Sequence, residues 1–487
     1  MLIKTLRKKR DEGVGHWFIL VLLALAQFMV VLDVSIVNVA LPSIQKAFSM
    51  SADNLQWIVT AYSLAFGGFL LLGGRAADLF GRKKVFLIGV AGFAFASLLT
   101  GLAQSGLMIV LARILQGFFG AFMSPAALSI VLVIYKEGKD RNIALSVWGA
   151  VAASGAAVGV LLGGILTQYL DWRWNFFINV PIGVLVVLTA YFILPKHQAE
   201  ANQKGFDLVG AVLVTGGLMS LVYALVKAPN EGWTSSLALT YFAISFISLA
   251  LFVLNESRSK HPILPLRIFK IRNIVGADLA QLALAAGLFS VFFFLTLYMQ
   301  DILNYSPVRT GFNFLIIPVT IGIVAASVPK IIAKIGFKPI LVIAPLLVSL
   351  GLYILSHIRV NGTFWHDVAP GMMVFAVGLG ATFVSITIAA TSGVSKQESG
   401  LSSGLLTTAQ QIGGAIGLAV LTGVVTSSTT NYIKTHLSAT MTKPTPELTA
   451  VASVHGIQQG FLLASTFGII ASLVALFVIK SPKTSTK

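Results

Sequence analysis

Three charged side chains stand inside long apolar runs: Asp33, Arg113 and Asp278. An ionisable group at such depth is costly unless it meets a partner or water, so it reads as functional. Asp33 sits in Leu32-Asp33-Val34-Ser35-Ile36-Val37-Asn38-Val39-Ala40-Leu41-Pro42, which closes the first run. A nearby cation favours an ionised carboxyl and burial favours a protonated one, so a group subject to both can take up and release a proton. At the helical rise, Asp33 lies roughly 10 Å below the outer end of its run and Arg113 about 9 Å below the same face. The two are level and form a candidate proton-handling pair, with a static ion pair between two helices as the other reading. Asp278 begins the ninth run about 8 Å from the inner face, too far inward to share that plane. It reads as a second proton carrier or as a group that caps or snorkels at the interface.

The elements that must hold these charges follow from composition. The chain has 487 residues, of which 56% are hydrophobic and 10% charged, and its mean hydropathy is +0.88. Soluble domains carry about 25% charge, so this is a polytopic membrane protein. Cysteine is absent, which excludes disulfides and thiolate zinc sites. The basic cluster Lys4, Arg7, Lys8, Lys9, Arg10 leads into a run too long for a cleavable signal.

Fourteen runs reach spanning length, near 17–40, 55–74, 85–104, 107–134, 142–168, 175–194, 207–227, 237–255, 273–300, 309–332, 338–356, 367–391, 402–427 and 458–480. Lys and Arg test this count, because they concentrate in cytoplasmic loops. With the N-terminus inside, 26 of the 34 fall in inner segments, seven in outer loops, and Arg113 within a run. The alternation supports fourteen helices with both termini cytoplasmic. It also explains the formal charge of +17 without nucleic acid. The layout is six, two and six: residues 1–195, two linker helices over 196–256, a connector over 257–272, and residues 273–487. The connector is basic and semi-apolar and reads either as an interfacial segment or as an ordinary linker. The loop 428–458 is the longest outer segment.

Four motifs remain. The second and third runs are joined by Gly74-Arg75-Ala76-Ala77-Asp78-Leu79-Phe80-Gly81-Arg82-Lys83-Lys84. Its glycines allow a tight turn, and its cations alone fit a topology anchor. The fourth run carries Arg113-Ile114-Leu115-Gln116-Gly117. The fifth carries Gly155, Gly159, Gly163 and then Gly164, small residues that let helices pack closely. Asp171-Trp172-Arg173-Trp174-Asn175-Phe176-Phe177-Ile178-Asn179-Val180-Pro181 follows it.

These strings resemble the major facilitator superfamily over nearly the whole chain, and within it the fourteen-helix drug–proton antiporter branch of the EmrB/QacA type. Gln56-Trp57 with Tyr62, and Gly400-Leu401 through Gly417, fit as well. The resemblance implies an all-α fold of two six-helix domains with two extra helices and a midplane site worked by alternating access. It implies that Gly74, Asp78, Gly81, Arg82 and Lys83 form a conformational latch. Arg113 is then linked to proton transfer, and Gly155, Gly159, Gly163 and Gly164 form a hinge. The hinge motif's usual proline is Val160 here. Asp33 would exchange a proton for cargo, tuned by Arg113. The expected protein is a monomeric, multi-pass transporter of the cytoplasmic membrane, not an enzyme. It uses the proton gradient and no cofactor or metal, and it exports small lipophilic, cationic drugs or dyes. Export of one dedicated cargo, a lipid, siderophore or antibiotic, is the alternative. Asn38, Trp57, Tyr62, Gln281, Tyr298, Gln410 and Gln411 are the candidate cavity residues.

Overall fold

A computed structural model of the chain describes residues 14–135, 139–194, 207–259, 262–392, 399–437 and 444–481. The basic cluster at Lys4–Arg10 and the expected boundary at 195 lie outside them. Among the described residues fourteen helices are long and apolar enough to span a membrane. They are α1 (Trp17–Phe48), α2 (Ala52–Phe80), α3 (Arg82–Gly101), α4 (Gly106–Ile134), α5 (Ile143–Tyr169), α6 (Trp174–Ile193), α7 (Leu208–Ala228) and α8 (Ser236–Arg258). After the connector come α9 (Arg272–Ile302), α10 (Pro307–Ile335), α11 (Phe337–Leu355), α12 (Phe364–Thr391), α13 (Gly400–His436) and α14 (Pro446–Phe477).

The packing repeats itself. In the first six helices α1 lies against α5, α2 against α4, and α3 against α4 and α6. Eight helices later α9 lies against α13, α10 against α12, and α11 against α12 and α14. Helix association inside a bilayer depends on close approach rather than on a hydrophobic drive, and glycines supply it at equivalent places. A Cβ at Gly159 would stand 3.0 Å from the Leu32 carbonyl on α1, and one at Gly413 2.1 Å from the Leu282 carbonyl on α9.

The extra pair is wedged rather than appended. Leu218, Val222 and Val226 of α7 pack with Leu64 of α2 and with Ala415 and Ala419 of α13. Thus α7 touches one helix of each six-helix set.

Several elements are longer than their apolar runs. Helix α1 continues past Pro42 to Phe48, so Asp33 stands 15 residues, about 22 Å, from that end. The end of the apolar run is therefore not the end of the helix. The expected outer loop at 428–458 is largely helical: α13 runs on to His436 and α14 begins at Pro446. The rings of Tyr432 and His436 stack at 4.0 Å, and Tyr432 lies 4.9 Å from His455. Polar helix outside the hydrocarbon leaves no hydropathy signal.

Candidate functional site

The six-helix sets enclose a cavity of 1290 Å³. Its wall reaches Gly74, Arg75 and Asp78 of the α2–α3 turn and Gly400 and Leu401 at the start of α13. It therefore opens on the face that carries the α2–α3 turn and the start of α13. The opposite face is closed. Gln300 Nε2 donates to the Val39 carbonyl at 2.9 Å, and the Val308 N–H donates to Gln168 Oε1 at 3.1 Å. Lys46 pairs with Asp301 at 3.4 Å. A Cβ at Gly311 of α10 would stand 2.2 Å from the Val160 carbonyl of α5.

Asn38, Gln410 and Gln411 line the cavity among apolar and aromatic side chains such as Phe66, Phe289 and Phe292. The other sequence candidates do not. Trp57 turns away to pack on Tyr223 of α7, with ring centroids 6.1 Å apart. Tyr62 is fully buried, its ring 4.2 Å from the Arg113 guanidinium carbon. Tyr298 lies on the closed side, donating its hydroxyl to the Arg359 carbonyl at 2.6 Å. Gln281 is buried, its Oε1 without a partner among the described residues. Residue type marks these aromatics and amides as candidates, but type does not reveal which helix face looks into the cavity.

Asp33 lies directly behind the wall. Its neighbours Val34 and Ser35 line the cavity, while Asp33 itself is 0% exposed. Arg113 donates Nη1 to Asp33 Oδ2. Gln116 Nε2 and Asn179 Nδ2 donate to Oδ1 at 2.7 and 3.1 Å. Arg113 also donates Nε to the Ile58 carbonyl at 3.0 Å and Nη1 to Gln116 Oε1 at 2.8 Å. Ser97 accepts from Gln116 and Asn179 and donates to the Phe176 carbonyl. Side chains from α1, α3, α4 and α6 and a carbonyl of α2 thus form one hydrogen-bonded network around the carboxylate. A buried charge is tolerable when paired and fully hydrogen-bonded, and both conditions hold. Arg113 is legible from the sequence because it is the one cation deep within an apolar run. Ser97 and Asn179 are not singled out, because an uncharged residue in an apolar helix carries no signal of which way it points.

Asp278 stays apart, on α9 of the other helix set, with both carboxyl oxygens buried and no hydrogen-bond partner among the described residues. The α2–α3 turn is built as its residues suggest. Gly81 adopts φ +91°, open to glycine at little cost, and Arg82 pairs with Asp78 at 3.2 Å. Lys83 donates to the carbonyls of Tyr191 and Leu194 at the end of α6, at 2.8 and 2.6 Å. On α5, Gly155, Gly159 and Gly163 face α1, and Gly164 faces the start of α10 at Pro307 and Val308. The helix runs through them unbroken.

A cavity open on one face, between two repeating helix sets and backed by a buried acid–base pair, defines a membrane transporter. Residues 23–418 match the family model of the Major Facilitator Superfamily, and the chain belongs to that family. It is 37% identical over 471 residues to a puromycin resistance protein of Streptomyces alboniger, covering 96% of this chain and 92% of the relative. A tetracenomycin C resistance and export protein of Streptomyces glaucescens is 35% identical, over 85% of this chain and 76% of the relative. The multidrug resistance protein Stp of Mycobacterium tuberculosis is 32% identical, over 87% and 79%. In fold the chain resembles a bacterial homologue of the human lysosomal transporter Spinster in an inward-facing conformation. The TM-score is 0.68 at 16% identity, covering 96% of this chain and 99% of the other. The chain is a multi-pass cell-membrane transporter of the drug-efflux branch and not an enzyme.

Proposed function

We propose that the protein exports lipophilic drug-like molecules in exchange for protons. Asp33 is the proton carrier, Arg113 its tuning cation and the cavity the cargo site. The observation that carries this is a fully buried carboxylate immediately behind the wall of an open cavity. Protonating Asp33 weakens its hold on Arg113, Gln116 and Asn179 and so loosens α1, α4 and α6 at once. Proton and cargo are therefore linked through helix packing rather than through competition for one contact, and cationic charge on the cargo is not required at Asp33. Asp278 is the second candidate carrier, since neither of its buried carboxyl oxygens is engaged by a described residue.

The distribution of Lys and Arg supports cytoplasmic termini. The cavity then opens inward, and rocking of the two helix sets within one monomer reverses access. Relatives named for export of single antibiotics, tetracenomycin C and cephamycin, favour a dedicated antibiotic cargo as the second reading. The test is transport of ethidium and puromycin into inverted vesicles under an imposed pH gradient. Uptake of both that collapses with the gradient supports efflux of varied cargo. Uptake of puromycin alone supports the dedicated reading, and no gradient-dependent uptake of either refutes proton-coupled export of drugs.

A further inference from the structure

We infer that the connector between α8 and α9 is a wall of the cargo cavity contributed from outside both six-helix sets, and that Glu256 is its positioning residue. The inference rests on the cavity being the cargo site. Pro262, Ile263 and Pro265 line the cavity. They are not loosely draped there. Ile263 packs with Leu72 of α2 and Ala211 of α7. Leu264 and Ile268 pack with Ile274 of α9 and with Leu401 and Leu405 of α13. The segment therefore bridges one helix set to the other at the rim of the cavity.

What fixes its height is the Glu256 carboxyl, which bonds the backbone at Ile263 and Leu264. Residues 262–265 have no helical ladder of their own, the 3₁₀ turn beginning only at Leu266. The Leu264 N–H donates to Glu256 Oε2 at 3.0 Å. Glu256, on α8, is 4% exposed. Its other oxygen, Oε1, is buried with no hydrogen-bond partner among the described residues, so the Leu264 contact is the side chain's working end. A Cβ at Gly210 would stand 2.9 Å from Glu256 Oε1 and 3.0 Å from Asp207 Oδ2, so a side chain there would displace the carboxyl. This corner is fastened in turn. Asp207 accepts the Gly210 N–H at 2.7 Å, capping α7, and accepts Asn255 Nδ2 of α8 at 2.6 Å. The extra helices are clasped to each other here, and the clasp carries the connector. Their role thus extends beyond spacing: they hold up part of the cargo site.

The chain has no cysteine, so single thiols report cleanly. The experiment measures N-ethylmaleimide labelling of Ile263→Cys on the connector and Ser129→Cys on the α4 wall, with and without saturating ethidium. Ethidium is expected to slow both reactions severalfold. Glu256→Ala should change the rate at Ile263→Cys severalfold while leaving Ser129→Cys unchanged. Glu256→Gln, which keeps an acceptor oxygen, should leave both near the parent rate. Gly210→Ala, which crowds the carboxylate, should reproduce Glu256→Ala and stands in if that variant does not fold. In transport, Glu256→Ala should raise KM for ethidium severalfold with kcat retained, and Glu256→Gln should restore KM. Protection at Ser129→Cys without protection at Ile263→Cys overturns the inference and leaves the cargo site intact. Protection at neither position removes the cavity as the ethidium site, and the inference falls with it. Equal behaviour of Glu256→Ala and Glu256→Gln overturns the positioning role.

Discussion

Asp33 and Arg113 divide the work at the residue scale. Asp33 is buried behind the cavity wall in this conformation, so Asp33→Asn should abolish gradient-driven ethidium uptake while leaving equilibrium ethidium binding to the purified protein intact. Loss of binding together with uptake would instead make Asp33 a cargo ligand. Arg113→Met is the more damaging change, because it strands a carboxylate that is 0% exposed. Removing one partner of a buried pair costs about 3–5 kcal/mol, seen as a lowered Tm in detergent. Adding Asp33→Asn to Arg113→Met should recover most of that loss, a coupling that a double-mutant cycle measures. The pair itself is legible in the sequence, because a charge in an apolar run has few places to go. Its depth is not, since α1 outlasts its apolar stretch by a further turn and more. The neutral members of the network are not legible either, nor is the outward turn of Trp57 toward α7.

At the scale of elements, the glycine stripe of α5 makes a sharp contrast. Gly159 faces α1 so closely that a Cβ would stand 2.6 Å from Ser35 Cβ. Gly159→Leu must push α1 and α5 apart next to Asp33, at a cost of about 1–3 kcal/mol for overpacking. A Cβ at Gly149, on the same helix, would meet nothing within 4 Å. Gly149→Ala should therefore stabilise by up to about 1 kcal/mol through helix propensity. Thermal unfolding of the two variants beside the parent checks both signs. If Gly159→Leu unfolds no earlier than the parent, the stripe is not a packing surface. The spacing of these glycines shows that they share a face and that close packing explains them; it does not show that Gly164 serves a different partner, the start of α10. That assignment depends on contacts between helices far apart in the chain. The α2–α3 turn is legible because its glycine, acid and bases act locally, within a few residues of one another.

At the scale of the molecule, the fourteen-helix count comes from composition and from the alternation of basic loops, both of which are summed over many residues and survive errors at any one boundary. Which face is open is not legible, because it depends on contacts between sets that are individually weak. The polar closing contacts include Gln300 to Val39, Gln168 to Val308, Lys46 to Asp301 and Thr426 to Asp53, beside the approach of Gly311 to Val160. Alternating access requires all of them to part, while the α2–α3 turn and the start of α13 close over the cavity mouth. Pinning the closed face should therefore stop turnover without emptying the site. With no native cysteine, Gln168→Cys and Val308→Cys can be joined by a short bis-maleimide. The cross-linked protein should still bind ethidium from the open face, and gradient-driven uptake should fall to background. Each single-cysteine variant, treated identically, should transport normally. A cross-linked protein that continued to turn over would mean that α5 and α10 do not separate there, and the exit path for cargo would have to lie elsewhere between the two helix sets.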